Sequence, residues 1–271
     1  MIKNEFYVLN NGVKIPKIGF GTWQNNNDDE CIKSVYWALV NGYRHIDTAM
    51  AYSNEWLIKE GIKLSNVKRE EIFITSKLPA EKKGYDICDE EFNKTLKNLD
   101  TDYLDLYLIH APNPWGMDQN SLEYMDLNIA SYKRMEELYK KGKIKAIGVS
   151  NFNVEQLKIL MANTEIKPMV NQIYLRVGEP RDDIRKFCEE NNILVEAYCP
   201  LGTGSLIKNE KLKAVSDKYN VSVAKLCIKW CLDLGTLPLP KSVHEEYIKE
   251  NLEVDFKISK EDFDYLTYIN I

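Results

Sequence analysis

The sequence predicts a (β/α)₈ barrel, the TIM barrel, on three observations. Short apolar runs recur at about 18–21, 44–47, 72–76, 104–109, 144–149, 169–172, 194–198 and 237–240, and segments with helical spacing separate them. Runs such as Leu104-Asp105-Leu106-Tyr107-Leu108-Ile109 read as strands covered on both faces, which favours a parallel sheet. The 271 residues suit a fold that typically needs about 250, so 1–271 are read as one domain. A doubly wound sheet gives a similar alternation, but usually with fewer strands.

The elements follow in order. Phe6 to Leu9 and Val13 to Ile15 flank Asn10-Asn11-Gly12, a two-residue turn signal, so the chain opens with a hairpin expected to plug the bottom of the barrel. The first helix carries Ile32, Val35, Tyr36 and Leu39, and the third carries Phe92, Thr95, Leu96 and Leu99. Asn153 with Gln156 makes a capping box ahead of Leu157, Leu160 and Met161. Val223, Leu226, Cys227, Trp230 and Leu234 stripe a later helix. Two segments are longer than the alternation needs: Ala111 to Asn128, with two prolines and Trp115, and the Gly-rich Pro200 to Asn209, followed by an extra helix at about 210–219. Long loops are uncommon unless functional, and both follow strand ends. Ser259 and Asp262 begin a short C-terminal tail helix.

Composition narrows the function. The 44% hydrophobic and 28% charged content is that of an ordinary globular chain with a sizeable core. A net charge of −5 argues against nucleic acid as a partner, while leaving room for a local basic patch. No apolar signal-peptide core opens the chain, and no stretch reaches the roughly 20 apolar residues of a membrane span. Cys31, Cys88, Cys188, Cys199, Cys227 and Cys231 include no C-x-x-C pair, so reduced thiols in the cytoplasm are expected. Cys227 and Cys231 share a helix face without nearby histidines, and packing is preferred to a metal site. No stripe demands a partner subunit, so a monomer is expected.

Asp47, Tyr52, Lys77 and His110 stand where apolar runs end. In a parallel barrel the strand C-termini converge on one face, so these four can meet around one small carbonyl. Taken singly, Tyr52 reads as a packing tyrosine, Lys77 as a solvated lysine, Asp47 as a helix cap and His110 as a core histidine. Together, with no metal motif, they suggest proton donation to a carbonyl oxygen. A free phenol has a pKa near 10, and a neighbouring lysine cation would lower it. His45 lies inside a run and reads as structural; His244 follows the last run and reads as solvent-facing.

Longer motifs surround these residues. Gly42-Tyr43-Arg44-His45-Ile46-Asp47-Thr48-Ala49 with Tyr52-Ser53-Asn54-Glu55 resembles the first signature of the aldo-keto reductases. Ile74-Thr75-Ser76-Lys77-Leu78, the run ending at His110, and Gly148-Val149-Ser150-Asn151-Phe152 resemble three more. Asn171-Gln172, Ala197-Tyr198-Cys199-Pro200-Leu201-Gly202, Leu239-Pro240-Lys241-Ser242-Val243 and Lys249-Glu250-Asn251 follow in the family's order. Any one motif is weak; the ordered set over about 12 to 252 is specific.

The resemblance implies carbonyl reduction to the alcohol with NADP(H) bound in extended form, and no Rossmann domain. Gly19-Phe20-Gly21-Thr22-Trp23-Gln24 agrees, since it starts like G-x-G-x-x-G and lacks the third glycine. By resemblance, Tyr52 is the general acid, Lys77 and Asp47 tune it, and His110 orients the carbonyl. Gly21, Thr22, Trp23 and Asp47 border the nicotinamide end; Ser150, Asn151 and Gln172 grip the carboxamide; Tyr198 stacks under the ring. Pro200, Leu201, Gly202 and Ser205 fold over the pyrophosphate. Lys241, Ser242 and Val243 meet the 2′-phosphate, while Tyr247, Glu250 and Asn251 meet the adenine. Trp23, Tyr52, His110, Ala111 and Trp115 border the substrate. A nucleotide-binding regulatory or structural module on the same barrel is the alternative. A hydrolase or isomerase would want a metal cluster or carboxylate pair.

Departures from the pattern carry information. Tyr247 stands where an arginine usually forks onto the 2′-phosphate, so NADPH is expected to be used through Lys241 and Ser242 with weaker discrimination against NADH. Ala111 replaces a frequent tryptophan and should widen the pocket; Tyr174, Arg176 and Val177 replace the usual glutamate, histidine and proline. The chain stops at Ile271, as in shorter bacterial-type members such as diketogluconate reductases, which suggests an open pocket with broad carbonyl tolerance.

Overall fold

Asn10-Asn11-Gly12 begins the fold as the sequence suggests, with one difference. In the computed structural model, which describes residues 1–25 and 27–271, β1 (Phe6–Val8) and β2 (Lys14–Pro16) pair antiparallel. The Leu9 amide donates to Val13 O and the Gly12 amide to Leu9 O. The loop is therefore three residues long rather than two, because Gly12 at φ 86° takes the left-handed position that closes such a turn. The hairpin covers the strand N-termini: Tyr7 Oη donates to Thr236 O, Asn10 Nδ2 to Pro168 O and Asn11 Nδ2 to Lys145 O.

Eight strands then run parallel in chain order: β3 (Phe20–Gly21), β4 (His45–Asp47), β5 (Phe73–Leu78), β6 (Leu104–Ile109), β7 (Ile144–Ser150), β8 (Val170–Tyr174), β9 (Leu194–Tyr198) and β10 (Leu237–Leu239). The seam closes through the Gly19 amide to Pro238 O at 3.1 Å and the Gly21 amide to Pro240 O at 3.0 Å. Glycine is required there, since a Cβ on Gly19 would stand 2.5 Å from Leu239 Cδ2 and 2.6 Å from His45 Nδ1. The result is a TIM barrel. All residues of β5 and β6 are buried, Thr75, Ser76, Lys77 and Asp105 included, as expected of strands covered on both faces.

The helices around it are α1 (Asp28–Asn41), α2 (Glu55–Ser65), α3 (Tyr85–Leu99), α4 (Met125–Lys140), α5 (Val154–Asn163), α6 (Asp182–Glu190), the extra α7 (Glu210–Lys218), α8 (Val223–Asp233), α9 (Glu245–Glu250) and the tail α10 (Lys260–Tyr268). Asn153 and Gln156 form the expected capping box of α5, and Ser259 caps α10 through the Asp262 amide. On α1 the buried stripe is Cys31, Ser34, Val35, Ala38 and Leu39, with Ile32 and Tyr36 at its edge, rotated from the predicted face. The loop after β6 ends earlier than Asn128, because α4 begins at Met125. No helix of the described residues is long and apolar enough to cross a membrane.

Candidate active site

The strand C-termini carry the chemistry. Asp47 is the last residue of β4, Lys77 lies one residue before the end of β5, His110 follows β6, and Ser150 and Tyr198 end β7 and β9. Tyr52 closes the short turn Met50–Tyr52 that leaves β4. Lys77 is wholly buried, and its Nζ donates to Asp47 Oδ1 at 2.8 Å, Asp47 Oδ2 at 2.9 Å, Thr48 O at 2.9 Å and Tyr52 Oη at 3.3 Å. The Tyr52 and His110 rings meet edge to face at 5.5 Å, and His110 meets Trp115 the same way at 5.3 Å. Tyr52, His110 and Asp47 line a cavity of about 1100 Å³, together with Trp23 and Trp115.

Burial and charge set the protonation states. Burial alone would push the Lys77 ammonium down, but Asp47 and Tyr52 outweigh it and hold it above the ordinary lysine range. His110 is held well below the usual imidazole range, first by burial and then by the Lys77 and Lys83 cations, so it is neutral at pH 7. The Tyr52 phenol departs from expectation. Burial pushes it up to about 12 against the downward pull of Lys77, and Asp47 adds to the rise. A nearby cation alone does not make this phenol acidic; desolvation opposes it.

Farther along the cavity lie Gly21, Thr22, Ser150, Asn151, Gln172, Tyr198, Pro200, Leu201, Lys241, Ser242, Tyr247, Glu250 and Asn251. Ser150 Oγ donates to Gln172 O, and Tyr198 Oη donates to Asn151 Oδ1 at 2.8 Å. Asn151 and Cys199 each step into the left-handed region directly after a strand end, at φ 65° and 53°. Such backbone outliers concentrate at functional sites. Gly202, Ser205, Val243 and Ala111 do not line the cavity. Ser205 Oγ instead donates to Gly202 O and shapes the turn below. Ala111 is fully buried, with its carbonyl taking a hydrogen bond from Lys83 Nζ at 2.6 Å. His45 is buried in β4 against Thr75 Oγ1, and His244 is exposed.

Several lining residues escape sequence reasoning. Lys213 and Ser216 arrive on α7, and Val221, Ser222, Val223 and Ala224 on the turn into α8. Their spacing is that of ordinary amphipathic helices; only the packing of the extra helix brings them to the rim. The cavity is large enough for a ligand of dinucleotide size. It exceeds the roughly 300–1,000 Å³ of common small-molecule pockets. Among the described residues, His110 Nδ1 and Asn251 Oδ1 are buried without a partner, and the Lys241 ammonium has only a long 3.5 Å contact with Gln24 O. Among the described residues, no three His, Cys, Asp or Glu side chains converge as metal ligands.

Known proteins resemble this chain in sequence and fold. The profile of the Aldo/keto reductase family matches residues 17–271. The glyoxal reductase of Bacillus subtilis is 44% identical over 263 residues, covering 97% of this chain and 91% of that protein. The 9,11-endoperoxide prostaglandin H2 reductase of Trypanosoma cruzi is 37% identical, over 97% of this chain and 90% of its own. Among solved structures, an aldo/keto reductase from Brucella melitensis superposes with a TM-score of 0.89 at 37% identity, covering 97% of this chain and 98% of its own. The Bombyx mori aldo-keto reductase solved with NADP gives 0.85 at 32% identity, over 97% and 92%. An oxidoreductase barrel with an Asp, a Tyr, a Lys and a His around one cavity therefore has its place: the chain belongs to the aldo/keto reductase family.

Proposed function

We propose that this protein reduces aldehydes and ketones to alcohols with NADPH, accepts NADH with weaker discrimination than an arginine-bearing site would show, and acts as a cytoplasmic monomer. The observation that carries the reading is the Lys77 ammonium, bound at once to both Asp47 oxygens and to the Tyr52 hydroxyl at the cavity wall. When bound, the dihydronicotinamide supplies a hydride to the carbonyl carbon. Ser150, Asn151 and Gln172 would hold its carboxamide, and Tyr198 its ring face. The backbone from Pro200 to Ser205 would take the pyrophosphate, Lys241 and Ser242 the 2′-phosphate, and Tyr247, Glu250 and Asn251 the adenine.

The remaining work falls to side chains of this chain. Neutral His110 orients the carbonyl oxygen, and Tyr52 Oη gives that oxygen its proton as charge develops there. A phenol at about 12 remains a competent donor to such an oxygen. An alkoxide is close to hydroxide in basicity and far more basic than this phenolate, so the transfer runs downhill. Lys77 then holds the phenolate, and Asp47 keeps the ammonium in place. Trp23 and Trp115 give the mouth an apolar rim without a fixed charge, which suits small neutral carbonyls.

The test is absorbance at the reduced nicotinamide band with NADPH or NADH and a panel of aldehydes, dicarbonyls such as glyoxal included. Turnover should fall by about 10²–10⁴ in Tyr52→Phe while nucleotide affinity stays within a factor of two. Nucleotide binding without turnover by the unaltered protein would favour a regulatory module instead.

A further inference from the structure

Glu196 has no assigned part in this site, and its surroundings are unusual. It sits mid-strand in β9, is 0% exposed, and points to the barrel interior beneath the cavity floor. Gln172 Nε2 donates one proton to Glu196 Oε2 at 2.7 Å and the other to Asp47 Oδ2 at 2.8 Å. Among the described residues, Glu196 Oε1 is buried with no partner. One amide nitrogen thus bridges two carboxyl groups, with Lys77 as the only cation bonded to the cluster among the described residues.

Two consequences follow from that geometry. Reversing the Gln172 amide would set its oxygen within hydrogen-bond distance of the Asp47 carboxylate, which has no proton to offer. The amide is therefore locked with both N–H groups turned inward, leaving its carbonyl oxygen as the group available to a ligand in the cavity. Charge is the second consequence. With Glu196 neutral, Asp47 and Lys77 cancel, and the phenolate left by Tyr52 brings the cluster to −1. With Glu196 ionised the same step ends at −2, in surroundings that screen poorly.

We propose that Glu196 is a positioning residue: through Gln172 it fixes the amide that faces the cofactor, and its own charge state governs how readily Tyr52 releases its proton. This deepens the proposed carbonyl reduction and rests on it. The groups facing Glu196 are few. Asp47 comes from β4, Lys77 from β5 and Gln172 from β8, while its register partner on β10 is the apolar Leu237. Burial first, and then Asp47, raise the Glu196 carboxyl to about 8, against the weaker pull of Gln172 and Lys77. The group is thus neutral at pH 7 and ionises as pH rises past about 8.

The experiment compares the unaltered protein with Glu196→Gln and Glu196→Leu. The readouts are kcat/KM for aldehyde reduction from pH 6 to 9.5 and nucleotide affinity by quenching of tryptophan fluorescence. The unaltered protein should lose about tenfold in kcat/KM across the upper part of that range. Both variants should lack this limb. Glutamine still accepts from Gln172, so its nucleotide affinity stays within a factor of two; leucine leaves the amide held by Asp47 alone, and affinity drops about tenfold. The leucine variant also reports the pH profile should the glutamine variant fold poorly. Superimposable profiles for all three proteins, or unchanged affinity in the leucine variant, would overturn the proposal. Absence of turnover in the unaltered protein would instead sink the carbonyl-reductase reading itself.

Discussion

Each end of the barrel holds a buried aspartate bonded to cations, and the two do opposite jobs. At the N-terminal end, Asp105 meets Arg69 Nη2 at 2.8 Å, Lys145 Nζ at 2.9 Å and the Ile74 amide at 3.0 Å. Arg69 and Lys145 also lie over the Tyr103 ring, at 4.1 and 4.2 Å. Both Asp105 oxygens are paired, and Lys145 reaches solvent with 46% of its side chain exposed. At the C-terminal end, Asp47 holds a lysine with no exposure at all, beside a phenol and an imidazole. Among the described residues, that end keeps buried atoms without partners: His110 Nδ1, Glu196 Oε1 and Asn251 Oδ1. The same charges fasten the strands where they are satisfied and hydrated, and are available for chemistry where they are dry and incompletely matched.

Neutralising one charge at each end should separate the roles most sharply. Lys77→Met leaves Asp47 buried without its counter-ion, which costs about 3–5 kcal/mol of stability and, by removing support for the phenolate, at least about 10² in kcat. Asp105→Asn should cost about 2 kcal/mol, because its cations can turn to water, and leave kcat within a factor of three. Thermal melting and steady-state rates on both variants check this. Equal loss of activity from the two, without a difference in melting temperature, would erase the distinction.

How much of this division could be read from sequence depends on how local each signal is. Asp47, Lys77, His110 and Tyr198 were legible because each stands at or beside the end of an apolar run, a position the parallel barrel sends to one face. Glu196 was not. A glutamate inside Leu194-Val195-Glu196-Ala197-Tyr198 reads as an outward, solvated residue, and only ring closure turns it toward Asp47 and Gln172. Lys213 and Ser216 were hidden for a related reason, since where α7 docks is a tertiary fact. Ala111 and Val243 stand next to lining residues in sequence without lining the cavity themselves, because adjacency along the chain does not fix which way a side chain faces. The Tyr52 shift was misjudged because motif reasoning counts neighbouring charges and misses desolvation.

His45, between the two ends, links the comparison to pH. Its imidazole is pushed down to about 3, by burial first and then by Lys77, against about 6.5 in an unfolded chain. The folded-state value is depressed, so its contribution is fully present above about 6.5 and is lost as pH falls toward 3. At pH 5 that amounts to roughly 2 kcal/mol relative to pH 7. Urea unfolding at both pH values should show a smaller acid loss for His45→Asn; an identical loss would mean that another group carries the acid sensitivity.

The smallest expected effect lies farthest from the chemistry, where Tyr247 stands 51% exposed with its ring edge-on to His244 at 5.5 Å. An aromatic ring there offers a face to adenine and nothing to a 2′-phosphate, leaving the Lys241 ammonium and the Ser242 hydroxyl to recognise that group. Tyr247→Arg adds a guanidinium that can take two phosphate oxygens at once. The ratio of kcat/KM for NADPH over NADH should then rise about tenfold, or roughly 1.4 kcal/mol. The gain is electrostatic and exposed, so raising salt from about 0.05 to 0.5 M should remove most of it. Rates with Tyr52-dependent carbonyls should hold steady on NADH, since nothing at the catalytic end has moved. A parent ratio already above about a thousand would show that Lys241 and Ser242 suffice, and that the tyrosine weakens nothing.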